Sequence, residues 1–470
     1  MKIKKILISV ACSILIAITL VLGGCALIDK NRTKSVVSIE KTMTNGLTDT
    51  YTVTFSDNTT YNFEITNGKD GTSADVEEIY NAYLERYPDA DFEDFLNAVV
   101  KVNADQSLTV SNKALLSSLK VYTEFTEASY SGWPYQRVTR QTTIYCGSAV
   151  IYSIDENYTY LITNYHVLYD SDATESNKLA KKITCYLYGS ESAPLQTNET
   201  SSDGCIVYDY GEYAVPCEFV GGSISVDIAV IKAKTTDVKK INPEVRAITF
   251  ADTYHVGESA IAIGNSENEG ISVTKGIVSV DNEYINYSID GTQRSYRSMR
   301  IDTAIYGGNS GGGLFDGNGN LIGITNAGDG EDQNINYAIP ANIVKPVVEN
   351  ILHYTDGTVK TLKLGVSVTS ENSRYVYDDN KGYGDIYEDV TVSDVTSGGI
   401  MQAMGIKSED KLTSFNVNGN ELTLKRYFNL GDYLYTVRPG DTISFTYERN
   451  GVTIKSTEVT VSSSNFAVVI

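Results

Sequence analysis

The chain has 470 residues, enough for about three domains, and hydrophobic residues make up 41% of it. Its 59 acidic residues exceed its 38 basic ones, which gives a formal net charge of −21 at pH 7. A protein this acidic is not expected to bind nucleic acid or an anionic membrane through a basic face. With only three histidines in the chain, a histidine-rich metal centre is not expected either.

The first 25 residues have the pattern of an export signal. Three lysines within the first five residues precede an apolar run at 6–22, and two glycines stand before Cys25. This pattern resembles a lipobox, so we expect residues 1–24 to be cleaved, lipid to attach to Cys25, and a tether to follow up to residue 35. An uncleaved membrane anchor is the alternative. In both cases the body of the protein is expected outside the cytoplasm, held at the bacterial cell membrane.

Residues 36–120 are predicted to form a small α+β module. Apolar residues alternate from Tyr51 to Phe55 and from Tyr61 to Ile65, and the turn-like stretch SDNTT between them predicts a hairpin. Helical spacing follows at 76–83 and, beyond Pro88, again at 91–96. We expect the module to be a spacer rather than a ligand-binding domain.

The stretch AIYGGNSGGGLFDGNGNLIG, residues 304–323, places Ser310 among glycines. Such a stretch can be a plain glycine-rich hairpin, and it also fits the G-x-S-x-G nucleophile elbow of α/β-hydrolases. In the hydrolase order the acid and the histidine follow the serine, but the sole downstream histidine is His353, before a polar, turn-rich stretch. The oxygen-rich DGNGN that follows is interpreted as a hairpin turn rather than a calcium loop.

Better partners for Ser310 lie upstream. YLITNYHVL places His166 directly after a strand-like run, and SISVDIAVIKA places Asp227 before an apolar strand. The order is therefore His, Asp, Ser, with separations of 61 and 83 residues, which suit three groups brought together by a two-barrel β fold.

Here the chain resembles the trypsin-like serine proteases of the HtrA/DegP family. The resemblance extends to YCGSAVIY at 145–152, to VGESAIAIGNSENEGISVTKGIVSV at 256–280 and to NYAIP at Asn336–Pro340. It covers roughly residues 141–352. Gly313 departs from the proline or alanine that is usual in the family.

The resemblance implies a mainly β fold with a chymotrypsin-like double β-barrel at 121–355 and a Ser-His-Asp triad. Ser310 would be the nucleophile, His166 its base, and Asp227 the group that holds the imidazole and stabilises the imidazolium. The amides of Gly308 and Ser310 would form the oxyanion hole, since glycine lets both point the same way. No cofactor is implied.

Substrate contacts follow from the same resemblance. Ala304, six residues before the nucleophile, would form the base of an uncharged pocket, so we expect cleavage after small or medium apolar residues. The segment 323–326, with Ile324, Thr325 and Asn326, would be an edge strand that pairs with an extended substrate.

Residues 356–470 resemble a PDZ domain. The segments LKLGVSV at 362–368, VTVSDVTSGGIMQAMGIKSEDKLTSFNVNG at 390–419 and VRPGDTISFTYERNG at 437–451 carry the resemblance, and 372–388 is interpreted as an insertion. Leu364, Gly365 and Val366 would bind the carboxylate of a peptide C-terminus, while the peptide adds a strand. A domain that merely packs on the protease is the alternative.

Four cysteines remain outside the signal: Cys146, Cys185, Cys205 and Cys217. In an exported protein they could form two disulfides in three connectivities, of which we favour the one that joins Cys205 with Cys217.

The sequence thus predicts a lipid-anchored HtrA-type endopeptidase that acts on misfolded or regulatory proteins. A catalytically silent scaffold that binds peptides through its PDZ domain is the alternative. Relatives often trimerise through segments before the protease domain, but this N-terminal module differs from theirs, so homo-oligomerisation stays open.

Overall fold

The computed structural model describes residues 36–45, 48–55, 59–66, 80–81, 84, 107–131, 137–328, 332, 334–379 and 381–469. The chain divides into two compact units, Met1–Gln106 and Ser107–Ile470. The predicted signal, Cys25 and the tether lie outside the described residues. Among the helices that are described, none is both long and apolar enough to cross a membrane.

The first unit contains a three-stranded antiparallel sheet. Its strands, in the order β1-β2-β3, are β1 (Val36–Asn45), β2 (Thr48–Phe55) and β3 (Thr60–Thr66). Tyr51 pairs with Phe63 and Val53 with Tyr61, as the alternating pattern predicts for a hairpin. Of the predicted helical stretches, residues 80, 81 and 84 are described and are helical, while the rest lies outside the described residues.

The second unit opens with a helix and a closed six-stranded barrel, called here the first barrel. Its elements are α1 (Ser107–Leu115), β4 (Ser118–Ser131), β5 (Arg137–Ile154), β6 (Tyr158–Thr163), α2 (Tyr165–Leu168), β7 (Lys182–Leu187), β8 (Leu195–Thr200), β9 (Ile206–Asp209), β10 (Val215–Ser223), β11 (Ile228–Lys234) and α3 (Thr235–Ile241). The barrel order is β10-β11-β6-β5-β4-β7, and β8 and β9 pair separately. Strand β4 crosses the predicted domain boundary at 120/121, because its pairing with β5 begins at Ser118.

A second closed barrel follows, called here the second barrel. Its elements are β12 (Ser259–Asn265), β13 (Ile271–Ser288), β14 (Gln293–Ile301), β15 (Gly313–Phe315), β16 (Leu321–Gly328), β17 (Asn336–Pro340) and α4 (Ala341–His353). The barrel order is β12-β13-β14-β17-β16-β15. The hairpin of β13 and β14 is paired down to Ser288 and Gln293, far beyond the pairing of β13 with β12.

One apolar cluster joins the two barrels. Val150 and Ile162 of the first barrel pack with Ile263 and Ile324 of the second. Helix α4 joins the same cluster through the apolar face formed by Ile343, Val344, Val347, Val348 and Ile351. Burial of this shared apolar surface helps to hold the two barrels together.

The last part of the second unit, called here the C-terminal domain, is residues 359–469. Its elements are β18 (Val359–Leu362), β19 (Val366–Asp378), β20 (Tyr383–Val395), α5 (Ile400–Ala403), β21 (Lys411–Val417), β22 (Asn420–Thr423), α6 (Tyr427–Leu434), β23 (Thr442–Arg449), β24 (Val452–Lys455), β25 (Val459–Thr460) and β26 (Phe466–Val469). The main sheet runs β19-β20-β21-β23-β24. The predicted insertion at 372–388 continues the β19–β20 hairpin, with Arg374 paired to Tyr387 and Asp378 to Tyr383.

The described cysteines are free thiols, which corrects the disulfide that we favoured from the sequence. Cys217 of β10 lies next to Cys185 of the neighbouring β7, with 3.3 Å between the sulfur atoms. Cys205 instead precedes β9, in the separate hairpin of β8 and β9. The barrel register therefore places Cys217 beside Cys185 rather than beside Cys205.

Candidate active site

The predicted catalytic residues lie at the junction of the two barrels. His166 is in α2, directly after β6, and Asp227 immediately precedes β11, whereas Ser310 is in the loop between β14 and β15. Ser148 of β5 joins the two sides: its N–H donates to the Ser310 carbonyl and its hydroxyl to the Gly308 carbonyl, both at 2.8 Å. The first barrel therefore holds the loop that carries Ser310.

His166 and Asp227 are in direct contact. The Nδ1 atom of His166 is 2.8 Å from Oδ2 of Asp227, and the main-chain N–H of His166 donates to Oδ1 at 3.0 Å. Asp227 is fully buried, and its φ of +56° belongs to the left-handed region that aspartate tolerates better than most residues. The side-chain amide of Asn164 donates to the main-chain carbonyl of Asp227 at 2.8 Å. These bonds fix the imidazole through Nδ1 and leave Nε2 for other partners.

The contact with Asp227 changes the proton affinity of His166. Burial by itself lowers the pKa of the imidazole, but the charge and the hydrogen bond of Asp227 outweigh burial and raise this pKa above its ordinary value. The imidazolium is thus stabilised at this position. A base that must take up a proton and later release it benefits from such a partner.

Ser310 makes no hydrogen bond to this pair in the described part of the chain. Its Oγ donates to the carbonyl of Asn326 at 3.4 Å, a long bond for a hydroxyl. The structure therefore brings His166 and Asp227 into contact and places Ser310 on the opposite barrel, with its hydroxyl turned to the main chain of β16.

The loop before Ser310 has unpaired amides. Gly308 has a φ of +93°, and a Cβ atom there would clash with the carbonyl of Asn265. The N–H of Asn309 donates to the Tyr306 carbonyl at 3.1 Å, but among the described residues the N–H groups of Gly308 and Ser310 have no protein acceptor. Two free amides separated by one residue are the kind of donors that stabilise an oxyanion.

Ala304 lies in the same loop, after β14. It is half-buried, and its carbonyl accepts a hydrogen bond from Oγ1 of Thr274 at 2.9 Å. Its methyl group adds no charge to this end of the loop.

The segment of β16 that was predicted to pair with substrate, residues 323–326, is in part already paired with neighbouring strands. Ile324 lies between β15 and β17, and Thr325 is hydrogen-bonded to Gly311 and Gly312 on one side while it faces β17 on the other. Among the described strands, Ala327 and Gly328 pair with β17 alone. The edge that could accept an extended peptide therefore begins near Asn326, farther along the chain than predicted, and Ile324 and Thr325 do not belong to it.

The sequence analysis missed Tyr287, at the end of β13. Its hydroxyl donates to Oδ2 of Asp227 at 2.8 Å and accepts a hydrogen bond from Nδ2 of Asn326 at 3.2 Å. Tyr287 thus reaches from the second barrel to a buried carboxylate of the first. In the sequence, Tyr287 looks like any alternating tyrosine of a hairpin, since the contact arises from the pairing of β13 with β14.

The predicted peptide-binding loop lines a cavity between the C-terminal domain and the second barrel. Leu364, Gly365 and Val366 form one wall of this cavity of about 510 Å³, together with residues of α6. Gly365 has a φ of +70°, and its carbonyl accepts the N–H of Thr396 at 2.9 Å. Tyr296 of β14 also lines the cavity, so residues of both domains contribute to it.

Two ion pairs connect the C-terminal domain with the hairpin of β13 and β14. Arg297 of β14 pairs with Asp432 of α6 at 2.5 Å, and both side chains are less than 10% exposed. Arg426 pairs with Asp281 of β13 at 2.6 Å. The ring of Phe428 lies against both arginines. Its centroid is 4.3 Å from the guanidinium carbon of Arg297 and 4.8 Å from that of Arg426. The hairpin that carries Tyr287 is therefore also the surface on which α6 packs.

Comparisons with known proteins agree with this architecture. The chain matches the model of the trypsin-like peptidase domain over residues 147–324 and that of the PDZ domain over residues 363–461. These matches and the two barrels define a chain with a trypsin-like peptidase domain followed by a PDZ domain. Within that class the chain is similar to HtrA proteins, as the sequence predicts, and its predominantly β fold is confirmed.

The relatives are HtrA and Deg proteins. The chain is 31% identical to the serine protease Do-like HtrB of Bacillus subtilis over 286 residues, which cover 57% of this chain and 52% of that protein. It is 35% identical to the periplasmic serine endoprotease DegP of Escherichia coli over 205 residues, or 42% of this chain and 40% of that protein. The chain thus spans about half the length of these relatives.

A solved structure of the HtrA-type protease AlgW with a tripeptide aligns at 24% identity. The alignment covers 76% of this chain and 96% of that chain, with a TM-score of 0.46.

Proposed function

We propose that this protein is an extracytoplasmic serine endopeptidase of HtrA type that hydrolyses peptide bonds of misfolded or regulatory proteins. The observation that carries the proposal is the contact of His166 with the buried Asp227 at the barrel junction, beside the glycine loop of Ser310. The trypsin-like peptidase match over residues 147–324, which includes parts of both barrels, supports it.

In the proposed reaction the hydroxyl of Ser310 leaves the Asn326 carbonyl and turns to Nε2 of His166. As Ser310 Oγ attacks the substrate carbonyl, its proton passes to His166, and Asp227 stabilises the imidazolium. Apo sites often have long catalytic hydrogen bonds that tighten when substrate binds, so the resting bond of Ser310 is compatible with this role.

The oxyanion of the tetrahedral intermediate would accept hydrogen bonds from the amides of Gly308 and Ser310. Its collapse gives an acyl-enzyme at Ser310 and transfers the proton from His166 to the leaving amine. Water then hydrolyses the ester, with His166 again as base.

Substrate would bind as an added strand along β16 from Asn326 to Gly328, with a small or medium apolar side chain near Ala304. Peptide C-termini would bind at Leu364, Gly365 and Val366 of the PDZ domain, in the cavity against the second barrel. We also propose that lipid on Cys25 anchors the protein to the cell membrane; the periplasmic name of the DegP relative supports a location outside the cytoplasm.

Fluorophosphonate labelling of the purified protein tests the proposal. We expect the wild type to label, with labelling lost in Ser310→Ala and in His166→Ala. His353→Ala is the matched control, because this exposed histidine lies at the end of α4, and it should label like the wild type.

The same assay separates the alternative function. A folded wild type that never labels, with or without a peptide that ends in a free apolar carboxylate, but binds that peptide would contradict the enzyme and favour the peptide-binding scaffold.

A further inference from the structure

The carboxylate of Asp227 is hydrogen-bonded from both barrels. Its Oδ1 accepts the main-chain N–H of His166, and its Oδ2 accepts two hydrogen bonds, one from Nδ1 of His166 and one from the hydroxyl of Tyr287, both at 2.8 Å. A fully buried carboxylate needs such donors, because the ionised form loses its hydration. Two of these three donors belong to His166, and the third is the hydroxyl of Tyr287.

The direction of the Tyr287 hydrogen bond is fixed by its other partner. The amide Nδ2 of Asn326 donates to the tyrosine oxygen at 3.2 Å, so the hydroxyl proton is left to point to Asp227. The carbonyl of the same Asn326 accepts the hydroxyl of Ser310. A continuous network thus runs from Ser310 through Asn326, Tyr287 and Asp227 to His166.

The ring of Tyr287 is held in place by its surroundings. It stacks on Tyr296 of β14 with centroids 3.9 Å apart and an interplanar angle of 15°. Burial, and next the charge of Asp227, raise the pKa of Tyr287 well above its ordinary value, so the hydroxyl keeps its proton at physiological pH. Asp290 and Arg294, the charged groups beside Tyr296, are paired with each other at 2.5 Å.

We propose that Tyr287 is a positioning residue of the active site, which orients Asp227 and through it His166. The inference rests on the proposed protease function and adds a residue that the triad motif does not contain. Without the hydroxyl, Oδ2 would keep a single donor. The carboxylate would be less stabilised as an anion and would hold the His166 proton more tightly, so the imidazole would lose its proton only at higher pH.

The test compares Tyr287→Phe with Tyr186→Phe. Both changes remove one hydrogen-bonded tyrosine hydroxyl, but the hydroxyl of the buried Tyr186 donates to the main-chain carbonyl of Tyr210 at 2.5 Å, in the first barrel and away from the proposed catalytic residues. The readout is the second-order rate of fluorophosphonate labelling as a function of pH. We expect Tyr287→Phe to label about tenfold more slowly, the effect of one hydrogen bond to a charged group, and its acid limb to move to higher pH. Tyr186→Phe should keep the wild-type rate and pH profile.

A second readout does not depend on activity. The chain has only three histidines, so the His166 ring signals can be followed by NMR, and Tyr287→Phe should raise the titration midpoint of His166 alone. If Tyr287→Phe does not fold, Asn326→Ala replaces it. That variant removes the donor to the Tyr287 oxygen, and we expect a smaller change in the same direction.

The outcomes are distinct. If the wild type labels but Tyr287→Phe keeps its rate and profile, or if both phenylalanine variants lose the same activity, the positioning role of Tyr287 is refuted and the protease remains. If the wild type itself does not label, the proposed function fails.

Discussion

His166, which we propose as the catalytic base, has a proton affinity that depends on a neighbouring residue. The imidazole is partly buried, which alone would favour its neutral form, but Asp227 lies 2.8 Å away and favours the cation more strongly. The contact with Asp227 therefore raises the pKa of His166, and this direction can be measured. The imidazolium persists to a higher pH than in an exposed histidine.

We therefore predict an acid limb of activity above pH 6.5, the ordinary pKa of histidine. His166 must be neutral to accept the Ser310 proton, so the fluorophosphonate labelling rate should rise with pH and reach half its maximum above 6.5. The folded protein also binds this proton more tightly than the unfolded chain does. The stabilising contribution of His166 should be complete below pH 6.5 and be lost as pH rises through the folded pKa. A half-maximal rate below pH 6.5 would contradict the assignment.

At the scale of elements, the loop between β14 and β15 combines two glycines with different constraints. Gly308 has a positive φ, and a side chain there would meet the Asn265 carbonyl, whereas a Cβ atom on Gly307 would point into open space. The loop therefore tolerates a methyl group at one position and not at the next.

Gly308→Ala should inactivate the protein, with Gly307→Ala as the matched control. The added methyl group forces the loop away from Asn265 and displaces the amide proposed for the oxyanion, so we expect labelling to fall by roughly 10²–10³-fold. Gly307→Ala should label like the wild type. Equal labelling of the two variants would mean that the Gly308 amide does not act on the oxyanion.

Single residues also explain what the sequence could and could not predict. The positions of His166 after β6, Asp227 before β11 and Ser310 in a glycine-rich loop are local features that short sequence motifs indicate. The role of Tyr287 could not be predicted from the sequence, because its hydrogen-bond partner Asp227 is 60 residues away along the chain and lies in the other barrel. The strand edge proposed for substrate begins later in the chain than predicted for a related reason. The run at 323–326 looks uniform in the sequence, and the pairing of Ile324 and Thr325 depends on where β15 begins.

At the scale of the whole molecule, the PDZ domain is joined to the second barrel by a buried ion pair. Arg297 and Asp432 are 6% and 8% exposed, so each charge depends on the other for its solvation. Asn342 of α4 also donates to Asp432, at 3.1 Å. Removal of one partner leaves a buried charge without compensation.

Asp432→Ala should weaken the interface between the peptidase and PDZ domains. Loss of one partner of a buried pair costs about 3–5 kcal/mol, so we expect a lower melting temperature and faster proteolysis between the domains. Lys455→Ala, which removes a partner of the exposed pair with Glu458, is the control and should leave both unchanged. If Asp432→Ala melts like the control, the pair does not hold the domains together.

The cavity shared by Leu364 and Tyr296 implies a thermodynamic linkage between ligand affinity and domain separation. A peptide that fills the cavity contacts both domains. Its affinity for the protein with the two domains packed together should therefore differ from its affinity for the protein with the domains separated. By reciprocity, the factor by which the peptide shifts the opening equilibrium equals the factor by which opening changes peptide affinity. Asp432→Ala, which favours opening, should therefore alter peptide affinity, although it changes no residue of the loop that we propose to bind the peptide carboxylate.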